Sequence, residues 1–282
     1  MGKRKSKAQD APAPREATGL FRQVVVVAVQ GIGAGAQDDA GEYKDLGADT
    51  LAHVATYMGG LELRLLQWLG LGNVTRIRGV APAEPPAASH GLARRASAGR
   101  DPAGALGELV GDAIRTLHAA GVPIHAVGAA ADLLDGVDGV TRHDHAGEGP
   151  LVALTRVAGG PGRDGLVIAA PVAGETMHGA VGPVGIARAL ARLDAALGAL
   201  LDQLGEDSLL VITALGGRDA TLPGREGGTR ERAPLLVYTP ALPSGVDLGT
   251  RLGLADVGAT VAHVLGDATT AAGTSFYEAL LA

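Results

Sequence analysis

None of the 282 residues is cysteine. That excludes disulfides, thiolate metal sites and a cysteine nucleophile, and it suits a reducing cytoplasm, where we expect the protein to reside. Aromatic residues make up only 2%, so a core has to be filled by Val, Leu, Ile and Ala. With 46% hydrophobic residues the material for one is ample. No apolar run approaches the roughly 18 residues that a membrane-crossing helix needs, so no membrane partner is expected. Lysine is scarce too: beyond the first few positions only Lys44 remains. A formal net charge of -6 leaves no basic face for a phosphate backbone, which argues against nucleic acid as a partner. Glycine, by contrast, occurs 44 times. With the many alanines this reads as the codon bias of a GC-rich bacterial genome, so a single Gly or Ala carries little information.

Residues 1–22 are expected to form a flexible tail. A basic cluster (Lys3, Arg4, Lys5, Lys7) is followed by Pro- and Ala-rich sequence, with no apolar stretch of the kind a secretory signal has. Met1-Gly2 followed by Ser6 matches a myristoylation pattern formally, but a solvated tail accounts for the composition. Residues 23–282 are expected to form one α/β core.

Val24-Val-Val-Val-Ala-Val29 is a continuous apolar run closed by a glycine turn, the pattern of a parallel strand buried on both faces. Similar runs recur at Ile124–Val127, Leu166–Ala170, Leu209–Thr213 and Leu235–Tyr238. Helical stretches separate them at Ala103–Ala119, Gly185–Leu204 and Leu254–Leu265. In the longest, Ile186, Leu190, Leu193 and Leu197 share one face at spacings of three and four. Strands alternating with helices predict a single three-layer α/β/α sandwich on a mostly parallel sheet.

Two segments have a chemical look. Gly31-x-Gly33-x-x-Ala36 follows the first strand with the spacing of a dinucleotide fingerprint. That chemistry needs a helix opening at the loop to face a pyrophosphate, whereas the following Gln37-Asp-Asp-Ala-Gly-Glu42 is polar and poorly helical. A tight turn is the expectation. His143-Asp-His145 is the only close histidine pair, and on an extended segment its imidazoles would point the same way. A metal site there needs a third ligand such as His178; a solvated loop is the simpler expectation.

Taken together, several segments resemble phosphopentomutase, a two-metal member of the alkaline phosphatase superfamily. Glu42-Tyr-Lys-Asp-Leu-Gly-Ala-Asp-Thr-Leu-Ala-His53 is similar to that family's D-F-x-D-x-G-A-N-T-L-x-H, and Leu66-Gln-Trp-Leu-Gly-Leu-Gly-Asn73 to its L-x-x-L-G-L-G-N. Gly99-Arg-Asp-Pro-Ala-Gly-Ala-Leu-Gly-Glu108 lies in register with G-K-D-T-M-T-G-H-W-E. Thr229-Arg-Glu231, Pro234 and Val257-Gly-Ala-Thr-Val-Ala262 match the closing T-R-E-x-x-P and I-G-A-T-x-A. The order is conserved from Val24 to Leu281.

The resemblance implies phosphoryl transfer with two divalent ions, usually manganese, held about 4 Å apart by aspartates and histidines. The positions it assigns to that chemistry are occupied by other residue types. The first-strand metal aspartate falls on Gln30, and the nucleophilic threonine on Pro102. The D-H-G metal pair becomes Leu215 and Gly216 before Gly217, and the histidine before T-R-E becomes Gly228. The aspartate and histidine after the strand at Leu166 fall on Val172 and Gly179, with His178 beside the latter. Amide, glycine and aliphatic side chains are poor ligands for such ions. The family's cap domain, inserted after G-H-W-E, is also missing, because Glu108 runs straight into Asp112–His118. The expectation is a catalytically inactive, phosphopentomutase-like protein that uses no cofactor and binds a protein or small molecule. Two alternatives remain. One is an active phosphopentomutase or phosphatase rebuilt from Asp38, Asp39, Asp101, Glu175 and His178. The other is a metal-free sugar-phosphate or nucleotide binder using backbone amides at Gly31–Gly35 and near Ala103.

Overall fold

All five apolar runs form strands of one sheet in the computed structural model, which describes residues 19–145, 148–172, 182–222, 227–242 and 245–282. In chain order the elements are β1 (Gln23–Gly31), α1 (Thr50–Tyr57), α2 (Arg64–Leu69), α3 (Leu71–Val74), β2 (Ser89–Ala93) and α4 (Pro102–Ala119). They continue with β3 (Ile124–Val127), α5 (Ala129–Leu133), β4 (Val140–His143), α6 (Pro150–Gly159), β5 (Gly165–Ala169) and α7 (Pro183–Leu201). The last are β6 (Ser208–Gly217), β7 (Ala233–Tyr238), β8 (Asp247–Arg251), α8 (Ala255–Gly266) and α9 (Tyr277–Leu281).

The eight strands run in the order β4-β3-β5-β1-β6-β7-β2-β8. From β4 through β6 every pairing is parallel. Only β7 departs from this, running antiparallel to both β6 and β2. The strands β5, β1 and β6 are adjacent at the centre of the sheet. Val24 to Ala28 of β1 are fully buried, which requires helices on both faces. One layer contains α4 and α8 packed on each other; the other contains α6 and α7, with α1 and α2 against α7. The predicted face of α7 (Ile186, Leu190, Leu193, Leu197) is buried throughout.

Gly258 shows how closely α4 and α8 approach, since a Cβ built there would lie 2.2 Å from the Leu109 carbonyl oxygen. Gly258→Ala must therefore push the helices apart. The expected cost is about 1–3 kcal/mol, as for other overpacked cores, read from the midpoint of urea unfolding.

The expected tail boundary at residue 22 needs correction. Residues 1–18 lie outside the described residues, but Phe21 is already buried, with its ring edge-on to Tyr277. Arg22 pairs with Asp164. An apolar ring and an ion pair tie this stretch to the core, whereas composition had suggested only solvated chain.

Candidate functional site

The carboxyl ends of β5, β1 and β6 meet the amino end of α4, the place where open α/β sheets carry their ligands. Gln30, at the end of β1, bridges to Val172 in parallel register. Its side-chain amide donates to the Ala170 carbonyl oxygen at 2.9 Å. Leu215 sits beside them on β6 and is 1% exposed. Gly216 follows at φ 125°. Pro102 is the first residue of α4, capped by the Asp101 side chain, which accepts from the Gly104 amide. Gly228 lies just before β7 against the Arg100 backbone. Gln30, Val172, Pro102, Leu215, Gly216 and Gly228 are thus brought to this end of the sheet. Gly179 and the alternative donors Glu175 and His178 lie outside the described residues.

Val172 differs from what an apolar residue in a filled cavity would show. It is half-buried and lines an open cavity of ≈ 710 Å³ between α6 and α7, with Val29, Pro171, Leu190 and Leu193. Leu215 is enclosed by the core; Val172 stands at its rim.

Beneath the strand ends lies a polar lattice joining segments far apart in the chain. Arg230 makes a bidentate pair with Asp39 and donates to the carbonyls of Arg95, Ser97 and Gly99. Gln37 exchanges two hydrogen bonds with the Arg95 backbone. Glu231, 2% exposed, accepts from the Thr50 amide and from the hydroxyls of Thr50 and Thr229. Burial pushes its carboxyl up to about 7, against the opposing pull of those three donors. Asp219 accepts from the Asp49 amide and meets His53 Nδ1 at 2.6 Å. Burial raises Asp219, but its bonds to Thr221, the Asp49 amide and His53 outweigh this and hold it below the ordinary carboxylate range. Asp49 also caps α1 through the Ala52 amide.

Most of this lattice could not be read from sequence. Glu231, Thr50 and Thr229 fall inside the resembling motifs, so their positions were marked, but not their burial. Nothing in Arg94-Arg95 distinguishes an exposed arginine from the next one, which is 95% buried.

The glycine loop after β1 forms a turn, as expected. No helix begins until Thr50, and Ala36 bridges to Glu231. Gly33 has no room for a side chain, because a Cβ would lie 2.5 Å from Glu231. The loop closes over a carboxylate and presents no helix end to a pyrophosphate. In His143-Asp-His145, His143 ends β4 and its Nε2 lies 3.0 Å from His125 Nδ1 on β3. Burial lowers both pKa values; the neighbouring His143 adds to the effect on His125, and Arg156 to that on His143. The pair pins the edge strand of the sheet, and among the described residues no third ligand joins it.

A family model described as the Metalloenzyme superfamily matches residues 181–268. A phosphopentomutase of Anaeromyxobacter sp. (strain K) is 28% identical over 386 aligned positions, covering 91% of this chain and 98% of the relative. One from Caldanaerobacter subterraneus is 37% identical over 166 residues, covering 58% of this chain and 42% of the relative. Among solved structures, a protein of Pyrococcus horikoshii superposes with a TM-score of 0.57 at 11% identity, covering 90% of this chain and 99% of that one. A phosphonate monoester hydrolase of Agrobacterium radiobacter gives 0.54 at 11% identity, with coverages of 92% and 77%. The fold is that of an alkaline phosphatase-like α/β core, and residues 181–268 are similar to the Metalloenzyme superfamily. In sequence the chain is phosphopentomutase-like, with similarity to phosphopentomutases over most of its length.

The match to the Metalloenzyme superfamily and the similarity to phosphopentomutases overturn the expectation that no cofactor is involved, because both imply divalent metal ions. The described residues at the strand ends do not fit such ions. Gln30 spends its amide nitrogen on Ala170; Leu215, Gly216 and Gly228 have no donor atoms in their side chains. Among the described residues no group of three or more His, Asp or Glu side chains converges. Hard divalent ions need several oxygen or imidazole ligands at once.

Proposed function

We propose that this chain is a phosphopentomutase-like core that binds a small molecule or protein partner without phosphopentomutase turnover. The observation that carries the proposal is Pro102. It stands where the resemblance puts the nucleophilic threonine, at the first position of α4. A pyrrolidine ring has no hydroxyl to accept a phosphoryl group, and at this helix position proline acts only as a start signal.

A second observation points the same way. The family's cap would be inserted after the segment ending at Glu108, yet α4 runs unbroken from Pro102 to Ala119. The alignment with the Anaeromyxobacter enzyme spans 386 positions, more than the whole chain, so a long stretch of that relative has no counterpart. Mutase chemistry has to keep its intermediate enclosed from water while it reorients. The proposed location is the cytoplasm, and the proposed partner is neither nucleic acid nor membrane.

The test is incubation of the purified chain with ribose 1-phosphate and manganese, followed by phosphorus NMR. No ribose 5-phosphate is expected above the protein-free control. Catalytic formation of ribose 5-phosphate by the unmodified chain would overturn the proposal.

A further inference from the structure

An apolar cavity of ≈ 710 Å³ opens between α6 and α7, beside the ends of β1 and β5. Small-molecule sites usually span about 300–1,000 Å³, so its volume is that of a ligand site. Val29, Leu190 and Leu193 form its buried wall, and Leu151 and Val172 line it from half-buried positions. Val152, which also lines it, is 55% exposed. None of Gln30, Pro102, Leu215, Gly216 and Gly228 borders this space. It is a feature of the α6–α7 layer.

The seam between the two helices extends it. A second hollow of ≈ 360 Å³ shares Leu151, Val152 and Ala196 with the first and reaches Gly160 and Gln203. Together the two follow α6 from Gly149 to Gly160, over roughly 16 Å at the helical rise per residue. A long, aliphatic trough of this kind suits an extended hydrocarbon chain; a compact sugar would leave its hydroxyls against Leu and Val.

Charge then selects the other end of the ligand. The polar side chains lining the cavity are Asp132, His145, Glu148 and Arg192. Asp132 pairs with Arg142 and Glu148 with Arg156, so both acids have their own counterions. Arg192 is exposed and has no ion-pair or hydrogen-bond partner among the described residues. Arg188, four residues earlier and therefore on the same face of α7, has none among them either. The complementary charge is negative. One guanidinium matches one carboxylate as a bidentate pair, whereas the second charge of a phosphate would have to sit near Asp132 and Glu148.

We propose that the α6–α7 cavity binds a single-chain aliphatic carboxylate free in solution, with its chain along the seam and its carboxylate at Arg192. The site rests on the small-molecule role proposed above and names the class of molecule. The bound chain covers Val152 and Val172, apolar side chains that water otherwise reaches.

Binding of octanoate, decanoate and dodecanoate, each below its micelle concentration, is measured by calorimetric titration of the whole chain in EDTA. One molecule per chain is expected, with affinity rising about three- to fourfold for each added methylene. Decanol should bind about threefold more weakly than decanoate, for want of the exposed ion pair, and decylamine more weakly still. Arg192→Gln should weaken decanoate about threefold and leave decanol unchanged, a split that misfolding cannot imitate. Ala196→Trp, where the two hollows meet, should weaken all these ligands. Equal affinity across chain lengths, decylamine bound as tightly as decanoate, Arg192→Gln changing decanoate and decanol equally, or Ala196→Trp leaving decanoate unchanged would each overturn the site. So would a dimer in sedimentation velocity that decanoate dissociates, since it would assign the seam to a second copy of the chain. None of these results depends on whether ribose 1-phosphate is turned over, so failure of the site and failure of the proposed function are separately visible.

Discussion

Leu215→Asp is expected to lower the melting temperature by about 6–20 °C in buffer containing EDTA. Leu215 is 1% exposed within the central sheet. A carboxylate there loses the burial of an aliphatic side chain and gains no cation, and an uncompensated buried charge costs about 3–5 kcal/mol. In a domain of this size each kcal/mol moves the midpoint by about 2–4 °C. A shift under about 2 °C would mean that position 215 faces a wet cavity able to accept a metal-binding aspartate. Rebuilding the whole set compounds the strain. Gly216 holds φ 125°, a conformation that L side chains rarely adopt. A Cβ at Gly228 would lie 2.9 Å from the Arg100 carbonyl oxygen. The variant combining Gln30→Asp, Pro102→Thr, Leu215→Asp, Gly216→His and Gly228→His is therefore expected to be less stable than Leu215→Asp alone. It should show no interconversion of ribose phosphates, because restored ligands do not restore an enclosure.

Glu231 is expected to contribute a loss of stability as pH rises from about 4.5 to about 7, opposed by a gain from His125 and His143, whose pKa values burial lowers. Its carboxyl is raised from 4.5 to about 7 by burial, so the folded state holds a proton that the unfolded chain releases. A raised folded-state value contributes stability that is full below the unfolded pKa and lost as pH rises through the folded one. A shift of this size corresponds to on the order of 3 kcal/mol across that window. The carboxylates of Asp39, Asp101, Asp207 and Asp219 are held low instead. Their contribution is present above the ordinary carboxylate range and lost only as pH falls below it, outside the Glu231 window. Glu231→Gln should remove this falling contribution, so that stability in guanidinium unfolding changes more positively with pH between about pH 5 and 7 than in the unmodified chain. An unchanged slope in that variant would assign the dependence to another group.

The central strands were legible because each is buried on both faces and so reads as an unbroken apolar run. β2 (Ser89–Ala93) and β8 (Asp247–Arg251) were not, because they lie at the sheet's margin and mix polar with apolar residues. The direction of β7 was equally hidden: Leu235-Leu-Val-Tyr238 has the same pattern whichever way it runs. At the strand ends, backbone register brought Val172 beside Gln30. The expectation that no cofactor is involved went astray because substitutions at family positions describe a few side chains, while the similarity to phosphopentomutases spans 91% of the chain.

By itself, then, the sequence determined the layer architecture and which segments form the central strands. Periodicity and local motifs carry that information, and each is confined to a short stretch of chain. Only the tertiary structure decided which charges are buried and which are paired. Asp39, Arg95 and Arg230 come from three separate segments, as do Thr50, Asp219 and Glu231. The free energy of a charged group depends on what surrounds it in space, and no local pattern records that.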